Sequence, residues 1–543
     1  MDHLSGLDAT FLYMETPETP MHVGGLNIFE LPAGYQGDFL DNLREHIAQR
    51  MHLAPVFGRK LVNMPFELAN PIWVADDDVD LEYHIRSTVL PKPGNRQQLH
   101  RLVGRLHSSL LDRSRPLWEF YVIEGVETPP DAAPGTRHVA FYSKVHHAAV
   151  DGEAGVALAQ AIMDIAPEPR HVKPAPRRAA LAADHFGIAE LTLGGLRNSA
   201  TQAVKLAKAL PTLLRAGLRM IKPAVRPEGD DAGTVKALAP GALAAGRANW
   251  FAPKTPINVN VTNQRVFSSF SIPLKELKHI AKNIDPGHGA TLNDVVMAIC
   301  SGALRHYLAD LNCKPKVPLL AAVPVSLREE GNTDMNTQAS IMRISLASHI
   351  KDPIERLRAI HTASSSAKAM TNSVKSVLPT DFPSLGAPWL LSGVAALFGR
   401  SKLANNMPPV ANVAISNVPG PKIALYMAGA KMLTYYPVSI VMHSLGLNVT
   451  VQSYNGSLDW GLIACRKAMP DLPELAKYMQ AAHRELLKLT PELAVAAVTN
   501  VVELKPANVK ATPKAKRESA KGKRVAGGGA RKPGRAKKSA AAA

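Results

Sequence analysis

The sequence predicts an α/β fold built in two halves. Three features carry that expectation. Strand-like alternation interleaves with helix-like periodicity in residues 1–167, the same interleaving returns in residues 251–502, and a Pro-, Ala- and Lys/Arg-rich connector, residues 168–250, separates them. A chain of 543 residues also exceeds the ~250–300 residues at which a single core stops growing. Its 46% apolar content supports a large core.

Local patterns place the elements in order. Residues 138–146 alternate and are rich in β-formers, so they read as a strand. Residues 152–163 read as a helix with Val156, Ala159, Ile162 and Met163 on one face. In the connector, Leu191 to Pro227 lacks any acid and carries seven Lys or Arg. Leu196, Ala200, Ala203, Val204, Ala207 and Leu210 form an apolar stripe that Pro211 interrupts. Such a helix fits either an anionic membrane surface or packing on the protein. Residues 291–308 read as a helix with Thr291 as N-cap. Residues 318–325 and 440–454 read as strands, and Gly456 marks a turn before a further strand at 458–464.

Charge and composition exclude several classes. The net charge of +18 suggests nucleic acid, but residues 505–543 hold thirteen Lys or Arg against the single acid Glu518. That tail supplies +12, leaving +6 for the rest. Residues 503–543 have almost no large apolar side chains and are expected to be disordered. By composition they fit the phosphates of nucleic acid and an anionic lipid surface equally, and they lack base-reading aromatics. Cys300, Cys313 and Cys465 are too few and scattered for a disulfide framework or a zinc site and suit a reducing compartment. The acidic start argues against a secretory signal, and no apolar run reaches the ~18 residues of a membrane span. The expected location is cytoplasmic, with any membrane contact peripheral.

The chemistry centres on Ser143-Lys144-Val145-His146-His147-Ala148-Ala149-Val150-Asp151-Gly152, a strand end running through a loop into a helix. Neighbouring residues on an extended chain face opposite ways, so only one histidine can serve a given cavity. Asp151 is placed to fix the loop, and Gly152 lets a ligand approach the backbone. Residue types alone leave catalysis and structure both open here. A metal held by His146, His147 and Asp151 is disfavoured because the two imidazoles diverge and no further ligand is evident to complete a site. Neither a serine-hydrolase elbow nor a phosphate loop is present.

His146-His147-Ala148-Ala149-Val150-Asp151-Gly152 matches HHxxxDG, the signature of acyltransferases of the chloramphenicol acetyltransferase and condensation-domain type. Further segments narrow the likeness. These are Leu4-Ser5-Gly6-Leu7-Asp8, Met21-His22-Val23-Gly24, Pro116-Leu117-Trp118-Glu119 preceded by Leu110-Leu111-Asp112-Arg113, Thr291 to Val296, and Asn417-Val418-Pro419-Gly420-Pro421. From near residue 1 to about 490 the chain resembles the bacterial wax ester synthase/diacylglycerol acyltransferase family. The Lys-rich tail lies outside that pattern.

The resemblance implies two chloramphenicol-acetyltransferase-like subdomains with mixed sheets, flanking helices and a channel between them. It implies that His147 acts as general base toward an alcohol, which attacks an acyl-CoA thioester without a metal, a cofactor or a covalent intermediate. An imidazole of ordinary pKa, about 6.5, suits that role near pH 7. His146, Asp151 and Gly152 are then supporting residues. Asn293 and Asp294 are candidate oxyanion or structural residues. Trp118 reads as packing. The implied partners are acyl-CoA, diacylglycerol or a long-chain alcohol, and peripherally the inner membrane or the surface of lipid droplets or inclusions. A lipophilic enzyme body also favours anionic lipid or plain solubilisation over nucleic acid for the Lys-rich tail, and no oligomeric state is expected in particular. Two alternatives stand beside this reading: a condensing enzyme of the same superfamily with another acceptor, and a non-catalytic protein of a lipid surface or of nucleic acid.

Overall fold

A computed structural model describes residues 2–64, 70–130, 132–150, 152–174, 251–326, 339–375 and 407–491. The expected connector helix, the Lys-rich tail and Asp151 lie outside these residues.

Three sheets organise the chain. A small antiparallel sheet orders β1 (Asp2–His3), β4 (Ile72–Ala75) and β3 (Arg59–Val62). A six-stranded mixed sheet follows the order β12 (Tyr426–Met427), β13 (Ala430–Val438), β2 (His22–Leu31), β7 (Arg137–His146), β6 (Trp118–Val126), β5 (Ile85–Val89). A second six-stranded mixed sheet follows β10 (Ala339–Ser345), β9 (Leu320–Ser326), β11 (Val413–Val418), β14 (Leu447–Tyr454), β15 (Ser457–Cys465), β8 (Arg265–Pro273). The helices described are α1 (Gly6–Met14), α2 (Phe39–Ala48), α3 (Leu81–His84), α4 (Arg96–Ser108), α5 (Gly152–Ile162), α6 (Leu274–Asn283), α7 (Leu292–Asp310), α8 (Pro353–Lys375) and α9 (Leu472–Leu489). The α/β architecture with two mixed sheets and flanking helices is therefore as the sequence predicts.

Most elements follow their local signals. Thr291 caps α7: its Oγ1 accepts from the Asp294 N–H at 3.3 Å, and Asp294 Oδ2 accepts from the Thr291 N–H at 2.8 Å. Asn455 and Gly456, both at positive φ, make the two-residue turn between β14 and β15. The strand expected over 440–454 starts only at Leu447. Ser444 sits at φ +67° and Met442 pairs with Leu445 in a tight turn, which breaks the ladder. Alternation of apolar residues cannot reveal such a turn.

Residues 426–438 cross over to the first sheet, where β13 pairs antiparallel with β2. This crossover presses the two sheets together. A Cβ on Gly461 of β15 would stand 1.7 Å from the Pro437 carbonyl oxygen of β13, so only glycine fits. Two residues back along each strand, the Tyr435 N–H donates to Asp459 Oδ2 at 2.7 Å. The other join is α4 on β8. Gly104 admits the Arg265 carbonyl, which a Cβ would meet at 2.8 Å, and His100 Nε2 lies 2.9 Å from Ser269 Oγ. Leu99, Val103, Tyr142, Phe267, Val295 and Trp460 consequently share one continuous core.

The opposite face of the first sheet has its own aromatic core of Phe29, Phe57, Trp118, Phe120 and Phe141. Trp118 is fully buried there and donates its Nε1–H to the Phe57 carbonyl at 3.2 Å, which makes it a packing residue. Strand β7 lies between β2 and β6, and His146 at its end pairs in register with His22.

Candidate active site

The HHxxxDG segment begins where β7 stops. The His146 N–H still bonds to Leu117 O at 2.9 Å, and the His147 N–H bonds to Met21 O at 2.8 Å. The last two amides of the strand therefore reach to its two neighbours in turn. A 3₁₀ turn, His147–Ala149, follows. Gly152 is the first residue of α5.

The two imidazoles are in different environments. His146 is completely buried. Its Nδ1 accepts the Ala148 N–H at 3.0 Å, which leaves the proton on Nε2 to face Glu15 Oε1 at 3.3 Å. His147 is half-buried. Its ring stacks on Phe11 of α1, with centroids 3.8 Å apart and planes 17° from parallel. Beneath the turn, Ala148 packs with Leu4, Ala9, Leu12 and Leu117.

Glu15 and Arg113 belong to this site although the sequence reading did not single them out as site residues. Glu15 terminates α1 with its side chain 2% exposed. It accepts from the Met21 N–H at 3.0 Å and from Arg113 Nε and Nη2 at 3.1 and 2.7 Å. Arg113 also donates to Leu12 O at 2.8 Å. Burial alone would raise the Glu15 carboxyl. The His146 contact, the Met21 N–H and the Arg113 charge outweigh it and bring the pKa down to about 2. The segment Leu110 to Arg113 was visible as a motif. Glu15 carried no signal of its own.

A second buried charge pair backs β7. Lys144 Nζ, fully enclosed, sits 2.8 Å from Glu119 Oε2, which also accepts from Tyr121 Oη at 2.8 Å. Glu119 belongs to the Pro116–Glu119 motif, so this motif supplies Trp118 to one face of the sheet and a counterion to the other. Gly24 of β2 is forced by the same tight packing: a Cβ there would stand 1.8 Å from Ser143 O.

The remaining motif residues form a separate cluster. Asp294 is fully buried. Its Oδ2 accepts from the Thr291 N–H, Thr291 Oγ1 and His361 Nδ1, each at 2.8 Å, and Oδ1 accepts from Ser364 Oγ at 2.6 Å. The carboxylate thus ties the start of α7 to α8. Burial would raise its pKa, but the bonds from Ser364, His361 and Thr291 hold it down. An ionised carboxylate has no proton to give an oxyanion, so these bonds give Asp294 a structural place. Asn293 Oδ1 accepts from Asn417 Nδ2 at 2.5 Å, which joins the helix start to the Asn417–Pro421 segment. Gly420 in that segment lies against Ser453 O, 2.1 Å from where a Cβ would be. The described bonds of Asn293 and Asp294 lead to α8 and β11, whereas His146 faces Glu15 at the end of α1.

Comparisons with known proteins agree with the motifs. Residues 4–296 match the wax ester synthase/diacylglycerol acyltransferase catalytic domain, and residues 336–487 match the WS/DGAT C-terminal domain. A putative diacylglycerol O-acyltransferase of Mycobacterium tuberculosis is 36% identical over 492 residues, covering 89% of this chain and 99% of the relative. The O-acyltransferase WSD of Acinetobacter baylyi is 31% identical over 491 residues, 88% and 96% of the two chains. The solved wax ester synthase/diacylglycerol acyltransferase of Marinobacter aquaeolei VT8 superposes with a TM-score of 0.62 at 30% identity, over 90% of this chain and all of that one. Among the described residues, no helix is long and apolar enough to cross a membrane. With both domain models matched and relatives aligned over nearly nine-tenths of its length, the chain belongs to the wax ester synthase/diacylglycerol acyltransferase family and is an acyltransferase.

Proposed function

We propose that the protein transfers a fatty acyl group from acyl-CoA to the hydroxyl of diacylglycerol or a long-chain alcohol, with His147 as the general base. The observation that carries this reading is the contrast between the two histidines. His146 is enclosed, with one nitrogen on the Ala148 N–H and the other facing Glu15. His147 keeps part of its surface, and its ring plane is set by Phe11. A base must be both accessible and oriented, and of the two only His147 combines these properties.

In the proposed step His147 takes the proton of the acceptor hydroxyl as that oxygen attacks the thioester carbonyl carbon. The tetrahedral oxyanion collapses, the carbon–sulfur bond breaks, and the imidazolium returns its proton to the leaving CoA thiolate. Ester and free CoA result, with no net change in the enzyme. The Nδ2 amide of Asn293 is the candidate oxyanion donor. The substrates would meet in a channel between the two halves, whose proposed boundaries remain 1–167 and 251–502. Contact with a membrane or inclusion surface would be peripheral and would assist the delivery of both greasy substrates.

Thiol release from palmitoyl-CoA, with dioleoylglycerol and hexadecanol as parallel acceptors, tests the reading. His147→Ala is expected to lose at least ~10²-fold in turnover, the lower bound for a positioned base, while its melting temperature stays near wild type. Near wild-type turnover in that variant refutes the base assignment.

A further inference from the structure

A groove of about 460 Å³ lies between the segment leading into β8 and the segment leaving β15. Thr262, Asn263, Gln264, Arg466, Lys467 and Pro470 line it. Arg466 and Lys467 are both exposed there, and no carboxylate is among the lining residues. The walls are fixed. The Arg466 N–H bonds to Gln264 O at 3.0 Å, and the Thr262 N–H reaches Cys465 Sγ at 3.3 Å. The amides of Lys467 and Ala468 also turn onto that sulfur. Burial would raise the enclosed Cys465 thiol, yet these donors bring it below its ordinary range, so the backbone behind the groove wall is held in place around that sulfur.

The groove is also tied to the catalytic turn. The guanidinium of buried Arg265 donates to Gln264 O at 3.3 Å, to Thr262 O, and to Glu18 O at 2.6 Å. Glu18 lies three residues from Met21, whose carbonyl holds the His147 N–H. Those three residues span at most ~10 Å. From there one arginine side chain reaches the groove wall. An extended thioester donor with its carbonyl at His147 could place its phosphates over such a distance.

We propose that this groove binds the phosphate groups of the acyl-CoA donor, through Arg466 and Lys467 and the polar side chains of Thr262, Asn263 and Gln264. The proposal rests on the acyl-CoA reading above. It divides the donor between two places: the thioester at His147, and the charged nucleotide end at the surface.

Direct binding to the full-length protein tests it without any turnover. CoA and pantetheine, which has no phosphate, are titrated into wild type, the Arg466→Ala/Lys467→Ala double variant, and Lys477→Ala as a control for an exposed lysine elsewhere. The double variant is expected to bind CoA about tenfold more weakly, the combined worth of two exposed charge pairs. Pantetheine binding should be unchanged, and the deficit should shrink as salt is raised. With palmitoyl-CoA, KM should rise by a similar factor with kcat retained. Equal CoA binding by wild type and double variant overturns the proposal, as does an equal loss for pantetheine. Retained CoA affinity with lost binding to phosphatidylglycerol vesicles overturns it too, and assigns the groove to a lipid surface. Failure of wild type to bind CoA at all would instead remove the donor reading itself. The His147→Ala variant should bind CoA normally, which separates the groove from the base.

Discussion

Glu15→Gln isolates the charge that supports the paired histidines. The Glu15 carboxyl is held at about 2 against an ordinary 4.5, with its side chain 2% exposed. A difference of that size corresponds to about 3 kcal/mol of folded-state preference for the ionised form. The sign follows from linkage. The folded pKa lies below the unfolded one, so the stabilisation is complete above about pH 4.5 and is lost as the pH falls toward 2. Glutamine keeps an acceptor for the Met21 N–H but removes the charge facing His146 and Arg113. At pH 7 the variant should therefore be less stable than wild type by about 3 kcal/mol, at the lower end of what breaking a buried pair costs. The difference should narrow by about 2 kcal/mol at pH 3, where the unfolded carboxyl has taken up its proton while the folded one is still mostly ionised, so that acid already favours unfolding of wild type. Urea unfolding followed by tryptophan fluorescence at pH 7, 5 and 3 measures both quantities. A difference under 0.5 kcal/mol at pH 7, or one that stays constant down to pH 3, would refute the reasoning.

Phe11→Ala should lower kcat by about 10- to 100-fold with little change in KM, because the His147 ring loses the stack that fixes its plane; Phe11→Tyr should restore most of the rate. Asp294→Asn should lose about 2–4 kcal/mol of stability, visible as a lower melting temperature, while KM and kcat at a permissive temperature stay near wild type. A large kcat loss without destabilisation would instead place Asp294 in the chemistry. Gly461→Ala should destabilise by roughly 2–4 kcal/mol, since its Cβ would stand 1.7 Å from Pro437 O and the two strands must separate; a differential scanning measurement reads this directly.

Local order is largely legible in the sequence. The alternation of residues 138–146 became β7, and Thr291 became the cap of α7. These signals are short-range and depend on backbone physics within a few residues. Partner choice is different. Nothing in the pattern of residues 426–438 announces that β13 pairs with β2 rather than with the neighbouring C-terminal strands, because an apolar strand fits either sheet. Gly461 and Gly104 do mark where the halves meet, but a lone glycine reads equally as a turn or a close approach. The site shows the same division. His146 and His147 were identifiable as a pair, and only burial separates the supporting imidazole from the accessible one. Asp294 reads from the sequence as a possible oxyanion or structural residue, and its four acceptor bonds give it the structural place.

Helix α1 explains how a fully enclosed imidazole and a half-exposed one can sit side by side. Phe11 and Glu15 are four residues apart, a spacing that puts both on one face of a helix and its terminus. That face meets the end of β7: Phe11 lies on the His147 ring, and Glu15 faces His146. A nine-residue helix would hold neither position if it were free to slide. It is pinned because Arg113 grips both Glu15 and the Leu12 carbonyl, and Arg113 itself follows α4, which packs on β8 of the other sheet. The orientation of His147 therefore depends on contacts that cross from one half of the molecule to the other. On this argument a substitution that loosens the α4–β8 join should disturb the base indirectly, through Arg113 and α1, before it disturbs the strand that carries it.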